Sequence, residues 1–393
     1  MGIGLIADEG VVYIEKEDTE AVYKPEQGSS AAVESLSEGL EFSPQKELLT
    51  RSNRTSTVET VAALLGTKSM SGSVPVELKS AGVEGNAPEA GVLWEALLGG
   101  KRTGTVSTTK TGHTTSRLEI EDADISKYSV GDVITVKESG AHHTSPVTVV
   151  DSSIGAAYVD LLVPAAGAFT DNVDIAAFTT YFHQSDAPTL SITNYLAGSI
   201  REKAIGMRPT SAEIGNYTTG TLSDVNFAVE GTSFEREVGT PLFTPTFDSD
   251  NGVTPPVVLC TKVYKDSTEV AVNSVGVSLT NTLAFLTSTA SCNGKIASRI
   301  TKFECSGSFN PYMQDDNVDL FTIFDDNTPF SIFTSTHNYT GVAGEQKDTI
   351  GFYVPSARIS EIGTGSEDGV LTDAVSFTGH KSLGNDTFFI TFS

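Results

Sequence analysis

The residues able to do chemistry are few and scattered. The chain of 393 residues has six histidines. Only His142 and His143 are adjacent, in Gly140-Ala-His-His-Thr. A zinc or copper site needs a further convergent ligand, and none has a matching spacing, so the pair reads as an exposed turn. His113, His183, His337 and His380 share no spacing. Asp248-Ser-Asp250-Asn251-Gly252 opens like a calcium loop of the EF-hand type. That loop needs a glutamate at its twelfth position, which here is Leu259. The segment reads instead as a turn-rich linker before Thr254-Pro255-Pro256. Gln314-Asp315-Asp316-Asn317 reads as a helix cap. Arg201, Lys203 and Arg208 form a modest basic cluster, either a solvated face or a set of salt-bridge partners for an acidic neighbouring subunit. No phosphate-binding GxxxxGK[ST], no GxSxG and no HExxH occurs. Nothing assembles a nucleophile, a base and an oxyanion donor. The expectation is therefore a non-enzyme, with catalytic, cofactor-binding and metal residues all none.

Composition narrows the classes further. The formal net charge is −25, with 50 Asp and Glu against 25 Lys and Arg. An electrostatic nucleic-acid binder needs the opposite sign. Cys260, Cys292 and Cys305 have no CxxC spacing and suit reduced thiols of cytosolic assembly. No apolar run approaches the roughly 18 residues of a membrane span. The start, Met1-Gly-Ile-Gly-Leu-Ile-Ala-Asp-Glu, lacks the basic and apolar regions of a signal peptide.

The elements that would position any site are mostly strands. Gly 36, abundant Ser, Thr and Val, and no sustained helical period predict a mainly β protein. Residues 1–57 read as an extended arm, free or docked on a neighbouring subunit, with a short helix near Ser30–Leu36. Residues 68–80 alternate as a strand, with Met70, Val74, Val76 and Leu78 on one face. A helix follows, capped by Asn86, with Pro88 and Glu89 in its first turn and Gly99-Gly100 at its end. Val92, Leu93, Ala96 and Leu97 make its apolar face, and Trp94 is read as core. Later, Phe303–Ser308 predicts a strand, Val318, Leu320, Phe321 and Phe324 a short helix, and Thr328–Thr334 a strand. Leu118–Ile120, Tyr128–Val136, Pro146–Val150 and Ala157–Val163 predict a small barrel or sandwich of four or five strands. Phe388–Phe392 predicts a terminal strand.

The same sparse pattern occurs twice. Ile205-Gly206, four residues, then Ser211-Ala212-x-Ile214 recurs as Ile350-Gly351, four residues, Ser356-Ala357-x-Ile359. Leu222, Asp224 and Phe227 follow the first; Leu371, Asp373 and Phe377 follow the second. Ser71-Gly72-Ser73 recurs as Ser306-Gly307-Ser308. Ser71 lies 134 residues before Ile205, but Ser306 only 44 before Ile350, so about 90 residues are inserted in the first copy. A duplication supplies two similar subunits to a ring.

In this order the motifs resemble those of the phage major tail tube proteins. The resemblance rests on Gln45–Arg51 and Val58-Glu-Thr, on Ser71-Gly-Ser-Val-Pro-Val-Glu-Leu78, and on Gly85-Asn-Ala-Pro-Glu89 before a helix ending Glu95-Ala-Leu-Leu-Gly99. Gly206 through Ile214 and Asp224–Gly231 complete it. It covers residues 40–100 and 185–245 well and the second copy loosely. It implies two tail-tube-type β-sandwich domains, each with a flanking α-helix, plus a small all-β insertion domain. The implied organisation is an N-terminal arm (1–57), a first tube domain (58–250) interrupted by a β insertion (101–185), and a second tube domain (251–393). It also implies rings stacked into a hollow tube in the virion tail, assembled in the host cytoplasm. The tube would conduct double-stranded DNA during ejection without binding it specifically. A duplicated chain points to a homotrimer with pseudo-sixfold symmetry, the alternative being a homohexamer. The partners implied are a tape measure protein and tail tip or terminator proteins. Two rival readings are another tail structural protein, terminator or adhesin-like, and a carbohydrate-binding β module. The latter would need an exposed aromatic platform including Tyr158, Phe178 or Tyr181.

Overall fold

The computed structural model describes residues 10–36, 38–51, 61–138, 142–259, 261–291, 293–313, 319–339 and 346–393. The expected cap at 314–317, Val318, Cys260, Cys292 and Val58–Thr60 lie outside the described residues.

In chain order the strands begin with β1 (Val11–Lys16), β2 (Ala32–Val33) and the long hairpin β3 (Glu41–Arg51) and β4 (Val61–Glu77). Helix α1 (Gly91–Leu98) leads into β5 (Gly99–Gly104). The six strands of a separate sheet follow: β6 (Ser107–Thr108), β7 (Arg117–Glu119), β8 (Val133–Val136), β9 (His143–Asp151), β10 (Tyr158–Leu161) and β11 (Asp174–Ile175). The chain returns through β12 (Phe178–His183), β13 (Leu190–Leu196), β14 (Ile200–Thr218), β15 (Asp224–Gly231) and β16 (Ser233–Val238). Then come β17 (Lys262–Lys265), β18 (Thr268–Glu269), the hairpin β19 (Val272–Thr287) and β20 (Lys295–Pro311), and α2 (Asp319–Asp325). The last strands are β21 (Phe330–Tyr339), β22 (Gln346–Glu367), β23 (Val370–Gly379) and β24 (Phe389–Phe392). The chain is mainly β, as its composition predicts.

One set of pairings occurs twice. Hairpin β3–β4 corresponds to β19–β20, β4–β15 to β20–β23, β15–β14 to β23–β22, and β14–β13 to β22–β21. Both copies also bulge at the same places. Between Lys46↔Lys68 and Leu48↔Leu65 the pairing advances two residues on one strand and three on the other. It does the same between Asn281↔Phe303 and Leu283↔Ile300. The shift at Leu190/Ile192 recurs at Phe330/Ile332, and that at Pro209/Ser211 recurs at Ile359/Glu361. β-Bulges are built features rather than noise, so they fix the correspondence: Gly72 with Gly307, Phe42 with Val277, Met207 with Ala357, Arg208 with Arg358. The Ser-Gly-Ser anchors are therefore in structural register. The Ile-Gly and Ser-Ala-x-Ile anchors lie on the correct strands but five residues out of register.

The copies are joined edge to edge. β14 pairs with β19 through Ser211↔Thr280, Ala212↔Leu279 and Ile214↔Val277. The result is a continuous eight-strand layer in the order β3-β4-β15-β14-β19-β20-β23-β22. Because side chains alternate with period two, each row across the layer has one character. Val76, Val225, Ile214, Val277, Gly307, Phe377 and Ile359 face each other in turn, and the side chains of all but the glycine point into the core. Over this face lie α1, α2 and a second layer made of β1, β13, β16, β17, β21, β24 and the first half of β22. Trp94 is fully buried there, edge-on to Phe227 with centroids 4.9 Å apart.

Helix α1 starts later than expected. Ala90 takes the N-cap position without a side-chain cap. The Glu89 side chain is drawn into an ion pair with Lys79 at 3.2 Å, so Pro88 and Glu89 precede the helix instead of opening it. Gly99 ends it at φ 88°, a conformation that favours glycine. Within residues 1–57, β1 pairs with β13 and β3 with β4. In place of a helix near Ser30–Leu36 there is a single 3-10 turn, Ser29–Ala31, running into β2. Ala32 and Val33 are buried against β1, and this burial outweighs the weak local helix preference.

The inserted residues form a six-stranded sheet, ordered β6-β11-β8-β9-β10-β7. A bridge between Thr109 and Ile120 closes it into a barrel. Its dry centre holds Leu118, Ile134, Val147, Val159 and Phe178. Four or five strands were expected; β6 and β11 are two residues each, too short to show alternation. The barrel hangs on the paired strands β5 and β12. It packs through Val133 and Val163 onto Phe333, Tyr353 and Phe389, on the side of the second layer turned away from the eight-strand layer.

Candidate functional surface

The free face of the eight-strand layer is mainly polar. One row runs Glu41, Ser73, Ala228, Ser211, Thr280, Glu304. The next runs Pro75, Asn226, Glu213, Ser278, Ser306, Thr378. Short hydroxyl side chains give it a low relief. Its carboxylates are Glu41, Glu77, Glu213, Asp224, Glu230, Glu304 and Glu361, against Arg208, Lys302 and Arg358. Lys302 is taken up by Glu304 at 2.6 Å, and Arg358 donates to the Asn327 carbonyl. The face is therefore strongly acidic, and most of its carboxylates are exposed to water. Sequence reasoning gave the acidity of the chain but not these residues; their shared face depends on pairings between strands up to 150 or more positions apart.

The residues singled out by type do not converge. Arg201 and Lys203 are held by Glu237, with an Arg201 Nε–Oε1 distance of 2.8 Å and Lys203 Nζ at 3.0 Å. Arg208 is buried and reaches Glu20, the Ala187 carbonyl and Ser298 Oγ. The cluster is thus satisfied within its own chain. His143 Nε2 lies 2.9 Å from the Val163 carbonyl. His183 stacks on Phe303 with centroids 4.4 Å apart. Asp248–Asn251 forms a 3-10 turn in which Asp250 accepts from the Phe247 N–H at 3.1 Å. Among the described residues no three His, Cys, Asp or Glu side chains are grouped to hold a metal ion. Burial pushes the Cys305 thiol up to about 12, where it is inert. Phe178 and Tyr181 are fully buried, and Tyr158 lies under the Arg117 guanidinium at 3.5 Å. They form no platform for a sugar, because the barrel and the main core have consumed two of the three rings.

One buried cluster has a measurable consequence. Beside a cleft of about 610 Å³, Glu89 meets Lys79, Glu34 and Asp248. Burial raises the Glu89 carboxyl to about 7, Lys79 opposes the rise, and Asp248 and Glu34 add to it. The folded state thus holds a proton that the unfolded chain releases near its ordinary value. The favourable contribution is present below about pH 4.5 and is lost as pH rises through about 7. Half-buried His143, His183 and His337 are held below their ordinary values and act in the opposite sense over the same range, so the difference between two chains isolates Glu89. In thermal melts from pH 5 to 8, Glu89→Gln should lose less stability, or gain more, than the parent as pH rises; equal slopes would remove Glu89 as a contributor.

A family model described as phage tail tube protein matches residues 7–379. No curated protein matches the chain. A match over nearly the whole length, on a β-rich duplicated chain with an acidic sheet face, places the molecule among structural proteins of the virion tail rather than enzymes: the chain belongs to the phage tail tube protein family.

Proposed function

We propose that this chain is the major tail tube subunit, stacking as rings into a hollow conduit for double-stranded DNA, with the acidic sheet face turned to the channel. The observation that carries this reading is the mainly polar, acidic face that both copies contribute to one continuous layer. A conduit must not hold its cargo. Each lysine or arginine paired with a phosphate releases counterions and adds affinity, whereas a carboxylate wall repels the duplex and leaves it free to slide. Two homologous units per chain, divided near residue 250 with residues 1–57 leading into the first, suit a homotrimer of pseudo-sixfold appearance; the alternative is a homohexamer. The inserted barrel, packed on the opposite side of the molecule, would then lie on the outer wall. Assembly in the host cytoplasm, around a tape measure protein and between tail tip and terminator proteins, follows from the same reading.

Electron microscopy of the purified chain, with the mass of isolated rings, tests this. The expected result is hollow filaments whose rings hold three chains. Six chains per ring with true sixfold symmetry would overturn the trimer. Chains that form no ring or filament under any condition would overturn the conduit.

A further inference from the structure

The inserted barrel meets the second layer along one seam, and the two halves of that seam differ in kind. One half is dry: Val133 and Val163 of the barrel pack on Phe333, Tyr353 and Phe389. The other half opens into a cleft of about 580 Å³, lined from the barrel by His142, His143 and Phe169 and from the second layer by Lys262 and Tyr264. His337 belongs to the same side. Lys262 pairs with Ser335 and Tyr264 with Phe333, and the period of two sets Phe333, Ser335 and His337 on the face turned to the barrel. We propose that this seam is an acid-sensitive latch: proton uptake by His143 and His337, beside Lys262, releases the barrel from the second layer.

Both imidazoles are held where a positive charge is poorly received. His143 is half-buried, its Nε2–H donates to the Val163 carbonyl at 2.9 Å, and its ring centroid lies 5.5 Å from that of Phe169. Burial holds it below its ordinary value and the Lys262 ammonium adds to this, while the bond to Val163 opposes. His337 is half-buried too; burial again comes first, then Lys262 and His142. The nearby acids do not cancel these effects. Glu269 is exposed and turned to Lys262 at 3.7 Å. Glu138 accepts from the Thr170 N–H at 2.6 Å and from its hydroxyl at 3.1 Å. Tyr264 and Tyr353 are both pushed up to about 12 by burial and stay neutral.

Once the seam parts, both rings meet water and titrate near their ordinary value of about 6.5. The open form then binds more protons than the closed one. Closure is therefore favoured in full above about pH 6.5 and is lost progressively as pH falls below it. A histidine that stays neutral in the closed seam shifts the opening equilibrium about tenfold between pH 7.5 and 5.5, and two shift it about a hundredfold. The chain allows the movement: the barrel joins the body through only two short connections, residues 105–106 and 176–177.

Thiol access reads the latch. Val163 is 4 % exposed and sits where the dry half meets the cleft. Val163→Cys is made in the full chain carrying Cys260→Ser and Cys292→Ser; the remaining Cys305 is buried in the main core. Its labelling by a dipyridyl disulfide, which reacts with thiols in acid, is divided by that of Ser152→Cys, an exposed position on the barrel, so that the pH dependence of the thiol itself cancels. The ratio should rise by about tenfold to a hundredfold from pH 7.5 to 5.5. His143→Gln with His337→Gln should remove most of that rise, whereas His183→Gln, which lies outside the seam against Phe303, should leave it intact. A flat ratio in the parent overturns the latch, as does a rise that survives the loss of both seam histidines or depends on His183. Should the double variant fail to fold, Lys262→Met decides: with the fixed charge gone the rise should move to lower pH, and an unmoved rise overturns the proposal.

Discussion

Replacing Arg102 by alanine is expected to loosen the inserted barrel from its stem. Asp132 is fully buried, with Arg102 Nε 3.0 Å from Oδ1 and 3.2 Å from Oδ2, and the Ser129 N–H 2.8 Å from Oδ2. The guanidinium also lies 4.9 Å from the Phe182 ring. Arg102 sits on β5 and Asp132 immediately before β8, so the pair ties barrel to stem. Burial raises the Asp132 carboxyl and Arg102 opposes the rise. Without the arginine an uncompensated carboxylate stays in the interior, a loss of about 3–5 kcal/mol. Amide exchange in β8 and β9 should accelerate by roughly a hundredfold or more, each 1.4 kcal/mol being about tenfold. The effect should shrink in acid, where the carboxylate can take a proton and remain buried neutral. Arg102→Met with Asp132→Leu should recover most of the protection, because both charges then leave together. Exchange within threefold of the parent in Arg102→Ala would show that the barrel is held by Val133, Val163 and Phe389 alone.

How far the sequence foretold this architecture depends on the range of each signal. Short-range signals carried well: the alternation through Val74, Val76 and Leu78, the Gly99 stop, and the buried Trp94 are all local consequences of strand period and capping. The insertion was legible from a spacing difference, and the barrel strands from their turns. The register of the duplication was only half legible. Ser-Gly-Ser matched correctly because Gly72 and Gly307 each lie where a side chain would strike a neighbour: an added Cβ would come within 2.7 Å of the Glu41 carbonyl oxygen and within 2.5 Å of the Gly276 carbonyl oxygen, respectively. The Ser-Ala-x-Ile match followed common small residues, where the fold requires only that the core face be filled; Met207 and Pro209 do in β14 what Ala357 and Ile359 do in β22. Residues 1–57 hid their role for another reason. β1 and β13 lie far apart in sequence, so the pairing Ile14↔Ile192 leaves no local trace. The acidic face is the extreme case, since its rows exist only after eight strands have found their partners.

On the proposed conduit reading, reversing the charge of that face should slow DNA release without preventing assembly. Glu213, Asp224 and Glu304 are exposed, lie on the polar face and take no part in the core. Substitutions at such positions ordinarily change stability by no more than about 0.5 kcal/mol, so Glu213→Lys with Asp224→Lys and Glu304→Lys should still give tubes of normal length. Inside a tube the three changes recur in every chain of every ring, and each adds a point where a phosphate can be held. A site with 6–10 phosphate contacts loses roughly 10³–10⁵ in affinity between 50 and 200 mM salt, so drag from the new lysines should be severe at low salt and fade as salt rises. Release from particles carrying the triple variant, timed at several salt concentrations against the parent, should therefore show a slowing that salt relieves. A slowing that salt leaves untouched would point to a narrowed or misassembled channel. Equal rates at every salt would make wall charge incidental to passage, and the −25 of the chain would then serve solubility and subunit contacts alone.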